Sequence, residues 1–180
     1  MAGDKETISF KADPKDLKHL YAAFKTLSDE ANTELKSQVT AISAWTAVKI
    51  QAAAKNARYM PTQAERVAST IKANKDRIPN ITVGGSKKNF SGGAAVGEVL
   101  FGSEFGAEPY LAKRKNGSNL GANSFGKNNG RRFPPMSPPY NGGNEGYWIF
   151  PTLRKEQPAI TSAWITAVDG VLNNWSKPNG

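Results

Sequence analysis

Residues 147–175 read YWIFPTLRKEQPAITSAWITAVDGVLNNW, and the reading of this stretch sets the fold class. Its second part places Ile160, Ala163, Trp164, Ala167, Val168, Val171, Leu172 and Trp175 at i, i+3, i+4, i+7, i+8, i+11, i+12 and i+15. That is an unbroken apolar stripe along one side of a helix. The spacing predicts a helix over residues 158–175, with Pro158 in the first turn, where a missing N–H costs nothing. The first part, Tyr147-Trp148-Ile149-Phe150, is aromatic and β-branched. It predicts a short strand at residues 147–150 that carries Trp148 and Phe150 into the core and ends at Pro151.

Working outward, residues 94–101 alternate Val96, Glu98 and Leu100 with Ala95, Gly97, Val99 and Phe101. Both faces are mostly apolar, which predicts a central strand. A further strand is expected at residues 78–83, turned by Gly84-Gly85-Ser86. Ahead of it, Thr62 and Glu65 have capping-box spacing before a short helix over 62–75. Leu17, Leu20, Tyr21, Phe24 and Leu27, then Leu35, Val39, Ile42, Trp45, Val48 and Ala52, repeat at helical steps. They predict a kinked helix or helical pair over 14–58, with Asp13 as its cap and Ser28-Asp29 as its break or bend. Residues 1–12 read as a loose arm or a short strand at Thr7 to Phe10, and 176–180 as a tail. The order of helices, strands and a final helix predicts one α+β domain over 13–175. In it, Ile160, Trp164, Val168, Val171 and Leu172 are expected to pack on a sheet formed by residues 78–101 and 147–150.

Residues 107–143 differ from the rest. These 37 residues hold six Gly, six Asn and five Pro, and no hydrophobic period survives. Six bases (Lys113, Arg114, Lys115, Lys127, Arg131 and Arg132) face one acid, Glu108. More than half of the chain's net charge of +9 sits there. Loops of this length inside a domain are usually functional or disordered. Tyr110, Phe125, Phe133 and Tyr140 argue that this one orders against a partner, so the expectation is a loop that becomes ordered on assembly.

The chain has 180 residues, enough for one domain with a real core. With no Cys and one His, it excludes disulfide scaffolds, thiolate nucleophiles and multi-His metal sites. No apolar run is long enough to span a membrane, and the first ten residues do not read as a signal peptide. The chain is expected in the cytoplasm when made. His19 has no evident catalytic partner and reads as a helix-surface residue. Glu98, Glu104 and Glu108 could hold a divalent cation but read first as edge and loop carboxylates. Gly84-Gly85-Ser86-Lys87-Lys88 lacks the spacing of a phosphate loop, and no GxSxG elbow exists. No cofactor, metal or catalytic residue is expected, and the enzyme reading has no positive support. The bases with their interleaved aromatics suit an acidic protein surface, phosphates, or a loop that is simply solvated.

Two segments resemble a known family. Val99-Leu100-Phe101-Gly102-Ser103-Glu104-Phe105-Gly106 is similar to a Tyr-Ala-x-x-x-Glu-Phe-Gly stretch. Ile149-Phe150-Pro151-Thr152-Leu153-Arg154 is similar to a Pro-Phe-Leu-Arg-Pro-Ala segment that leads into a C-terminal helix. Both belong to the tail-completion or head–tail joining (neck) proteins of long-tailed, lambda-like bacteriophages. The likeness extends loosely over residues 35–175. It departs at Pro61-Thr62-Gln63-Ala64-Glu65-Arg66, where the family has a TGxLR-like segment, and in the long 107–143 insertion. The resemblance implies a virion structural protein without catalysis, assembled in the host cytoplasm as a six- or twelve-fold ring between head and tail. Its implied partners are further copies of itself, neighbouring connector or tail proteins, and passing genomic DNA. Lys113, Arg114, Lys115, Lys127, Arg131, Arg132, Tyr110 and Phe133 would be the partner-binding residues. The alternative is a nucleic-acid-binding module that uses the same basic loop.

Overall fold

A computed structural model describes residues 7–9, 24–86, 88, 90, 94–106, 133–141 and 143–175. Among these, the chain runs β1 (Thr7–Ser9), α1 (Asp29–Lys55), α2 (Pro61–Ala68), β2 (Lys72–Ala73), β3 (Ile81–Gly84), α3 (Val96–Phe105), β4 (Pro139–Tyr140), β5 (Gly143–Asn144) and α4 (Ile149–Trp175). The class is α+β. A three-stranded antiparallel sheet has the order β1-β3-β2, and β4 and β5 form a separate hairpin.

Of the kinked helix or helical pair expected over 14–58, the structure has the break at Ser28-Asp29. Phe24 and Lys25 end one helical segment, and Ser28 starts the next. The Ser28 hydroxyl accepts from the Ala31 N–H at 3.2 Å, and Asp29 and Glu30 sit in the first turn of α1. A side-chain cap and two acids stabilise a helix start, so a new helix begins at the expected break. The second helix differs: it begins at Pro61 and ends at Ala68. Its N-cap is Met60, with φ +48° and no capping side chain, so Thr62 and Glu65 form no box. Pro61 at the first position needs no N–H partner. Beyond α2, β2 occupies part of the span expected to be helical.

Two expected strands are helices. Residues 94–101 enter α3, with Val96, Gly97, Val99, Leu100, Ser103 and Glu104 buried and Glu98 and Phe101 exposed. This is burial at i, i+3, i+4, i+7 and i+8. A short apolar run satisfies either period, and tertiary burial chose the helical one. Glu98 reaches back to accept the Ala95 N–H at 2.9 Å and completes the helix start. Residues 147–150 are likewise a turn followed by the first residues of α4. That helix begins nine residues before Pro158, which lies in its interior.

The C-terminal helix does not cover the sheet. It lies along α1, and the two are antiparallel. Val171 packs with Phe24, Leu27, Ala31, Leu35 and Val39 at one end, while Lys49 and Glu156 approach to 4.0 Å at the other. Trp164 and Val168 are half-buried against that cluster. Ile160 is half-buried and Leu172 is 40% exposed, so Leu172 is not a core residue. The stripe predicted from spacing is wider than the face α1 covers. The sheet packs instead into a second, larger core. There Ile81 and Val83 of β3 meet Ile50 and Ala54 of α1, Val67 of α2, Val99 and Leu100 of α3, and Trp148 and Ile149.

Polar contacts join the two cores. Ser43, fully buried in α1, accepts from the Asn80 N–H at 3.0 Å and donates to the Val39 carbonyl at 3.1 Å. Arg77 donates to Asn32 Oδ1 at 3.2 Å, and the Arg77 carbonyl accepts from Trp164 Nε1 at 3.0 Å. The segment before β3 thereby brackets α1 to α4. Trp164→Ala removes that hydrogen bond and a half-buried ring, and should destabilise the fold by ~2–3 kcal/mol. Trp164→Phe keeps much of the ring and should lose only ~1 kcal/mol. Urea denaturation of the two variants checks the order; equal losses would mean that the hydrogen bond accounts for the whole effect and the ring burial for none of it.

Candidate interaction surfaces

Among the described residues no three His, Cys, Asp or Glu side chains gather where they could hold a metal ion. The three carboxylates considered from sequence separate. Glu98 faces outward at the start of α3, Glu104 faces inward, and Glu108 lies outside the described residues. His19 lies outside them too. Gly84 and Gly85 take positive φ (+102° and +98°), and the Gly85 carbonyl accepts the Gly97 N–H at 2.9 Å. Among the described residues between β3 and α3, this turn opens no helix of its own. No described helix is long and apolar enough to cross a membrane.

Glu104 is the residue that sequence reasoning undervalued. Its carboxylate has no solvent exposure. Oε2 accepts from the N–H groups of Trp148 (3.2 Å) and Ile149 (2.9 Å), and Oε1 from that of Phe150 (2.8 Å). These are the orphan donors at the start of α4; the next residue, Pro151, has no N–H to satisfy. One side chain therefore completes the helix start from 44 to 46 residues away. Burial pushes the Glu104 carboxyl up to about 7, against the lowering effect of the bonds from Ile149, Phe150 and Trp148. A usable signal was present: Glu104 lies at i+8 from Val96, on the buried face of a helical reading.

The neighbouring residues complete the junction. Phe105 packs on Phe150 with centroids 5.2 Å apart and stacks with Phe101 at 6.3 Å. Gly106 has φ +78°, and Gly146 has φ +80° beside the Glu104 carboxylate. The expected loop over 107–143 does not extend to its C-terminal end. Phe133 packs against Gly102, the Ser137 N–H donates to the Phe105 carbonyl at 2.7 Å, and Tyr147 Oη donates to the Pro135 carbonyl at 2.7 Å. Pro139 and Tyr140 then pair with Asn144 and Gly143. Apolar contact and satisfied backbone groups order this part within the single chain. Phe133, expected at a partner interface, is instead partly buried against the larger core. Tyr110, Lys113, Arg114, Lys115, Lys127, Arg131 and Arg132 lie outside the described residues. Trp148 is buried as expected, and Phe150 is partly buried.

The outward faces of the long helices carry uncovered apolar side chains. On α1, Trp45 (37% exposed) and Val48 (61%) lie among exposed Ala41, Ala44 and Ala52. On α4, Ile165, Leu172 and Trp175 are exposed. Where α1 begins and α4 ends, a groove lies between Glu30 and Glu34 on one side and Asn174 and Trp175 on the other, floored by buried Ala31 and Val171. The Glu30 carboxyl is held below its ordinary range by a backbone hydrogen bond and by the Ser28 hydroxyl, so it stays charged near neutrality. The described residues carry 12 bases and 10 acids, whereas residues 107–132 carry six bases and one acid. No protein-family model, curated protein or solved structure matches this chain.

Proposed function

We propose that this chain is a structural subunit of the neck of a long-tailed bacteriophage, which assembles as a ring joining the DNA-filled head to the tail. The observation that carries this reading is the Glu104 junction. The two segments that resemble the neck family, residues 99–106 and 149–154, are far apart in sequence, yet they meet through one carboxylate. A shared motif pair acquires a physical reason when one member caps the helix that the other begins. Trp45 and Val48 on α1 and Ile165, Leu172 and Trp175 on α4 leave apolar surface uncovered, as a subunit that buries surface against copies or neighbours would. Head-to-tail contacts between identical subunits close into rings when the rotation permits.

Electron microscopy of the purified protein, alone and mixed with candidate portal and tail proteins, tests the reading. Closed rings are the expected result. Monomers under every condition would overturn it. The competing reading, a nucleic-acid module built on the basic 107–132 segment, predicts DNA affinity that falls steeply between ~50 and 200 mM salt.

A further inference from the structure

We propose that the groove between the start of α1 and the end of α4 receives the basic 107–132 segment of a second copy of this chain. The inference rests on the ring reading and names the contact that would build the ring.

Charge is the first argument. Glu30 and Glu34 line the groove, and among the described residues no base lines it. The segment carries Lys113, Arg114, Lys115, Lys127, Arg131 and Arg132 against Glu108 alone. Opposite potentials steer such an encounter and fix its register. The groove also has an apolar floor and the exposed Trp175 ring, against which Tyr110 or Phe125 of the incoming segment can pack, so charge is not its only attraction.

Position is the second argument, and it selects a second copy over the same chain. Gly106 and Phe133 flank the segment, and both stand at the α3 end of the fold. Gly106 faces the backbone of Pro135, and Phe133 lies on Gly102. That end also holds the start of α4, through Glu104. The groove is at the far end of α4, at Val171. Twenty-two helical residues separate Ile149 from Val171, a span of ~33 Å at 1.5 Å per residue. All six bases of the segment lie within nine residues of Gly106 or Phe133, a limit of ~30 Å when fully drawn out. Their own groove is therefore beyond their reach. A neighbour placed head to tail brings its groove beside the anchors and removes that limit. The contact joins two different surfaces, which is the type that closes into a ring.

The test is a mixing experiment on full-length chains. One variant carries Glu30→Lys and Glu34→Lys; the other carries Lys113→Glu, Arg114→Glu and Lys115→Glu. All five substitutions are checked for unchanged thermal melting. Association is read by carbodiimide cross-linking at low salt, which joins amines to carboxylates in direct contact. Each variant alone should cross-link between copies about tenfold less than wild type, because its segment now repels its groove. An equal mixture should recover most of the loss, because each segment then meets a groove of opposite sign. Wild-type association by either variant alone overturns the proposal. So does a mixture without recovery, the result expected if another segment fills the groove. Recovery without ring particles would keep this contact and overturn the neck reading. Rings in every variant would do the reverse.

Discussion

Glu104→Ala is expected to destabilise the protein by ~3–5 kcal/mol, a loss large enough to leave much of the population unfolded at 37 °C. The substitution leaves the N–H groups of Trp148, Ile149 and Phe150 without an acceptor, where the start of α4 meets the larger core. It also opens a cavity beside buried Trp148 and Leu100. Glu104→Gln keeps the volume and one accepting oxygen, but its amide group faces an N–H donor to donor, so a smaller loss of ~1–3 kcal/mol is expected. The two variants also separate in pH. The folded-state carboxyl is raised from 4.5 to about 7 by burial, so the native protein binds a proton that the unfolded chain has already released. That contribution is fully present below pH 4.5 and is lost as pH rises through 7. Its full size is ~3 kcal/mol at 1.4 kcal/mol per unit. Wild type should therefore lose several degrees of melting temperature, relative to Glu104→Gln, between pH 5 and pH 8. Parallel melting curves across that window would refute the assignment of this titration to Glu104.

Gly106→Ala should be at least as damaging. Gly106 has φ +78°, a region that disfavours any Cβ, and a Cβ there would overlap the carbonyl oxygen of Pro135. The obstacle is backbone, not the end of a flexible side chain, so relief requires moving residues 133–137 away from α3. That movement breaks the Ser137-to-Phe105 hydrogen bond and lifts Phe133 from Gly102. The expected loss is above ~4 kcal/mol, combining strain with lost packing. Gly146→Ala acts on the same junction from the other side, because its Cβ would overlap Glu104 Oε1 at φ +80°. Insoluble or unfolded protein is the expected expression outcome for Gly106→Ala. A soluble variant with near wild-type melting would show that residues 133–137 do not pack on α3 as described.

Much of the architecture was legible from spacing. Leu35, Val39, Val48 and Ala52 mark α1 because helical periodicity over many turns has no competing explanation. The same holds for Trp164, Val168 and Val171 in α4. Short apolar runs carry no such discrimination. Val96, Val99 and Leu100 fit a strand read in alternation and a helix read in steps of three and four. Tyr147-Trp148-Ile149-Phe150 is rich in strand formers, yet it ends in the first residues of a helix. In both places local propensity was overridden by a partner distant in sequence.

The sequence by itself determined the helical stripes, the α+β class, the absence of any thiol or multi-His chemistry, and the concentration of positive charge between residues 107 and 132. These are properties of composition or of spacing within a few turns, and no fold is needed to state them. The tertiary structure alone decided that α4 pairs with α1 and not with the sheet. It also decided that α4 begins at Ile149 and that Glu104 is a cap and not a metal ligand or a surface acid. Each of these depends on which buried group lies beside which. A carboxylate can be enclosed only where several N–H groups converge on it, and here they converge from a segment 44 to 46 residues further along the chain.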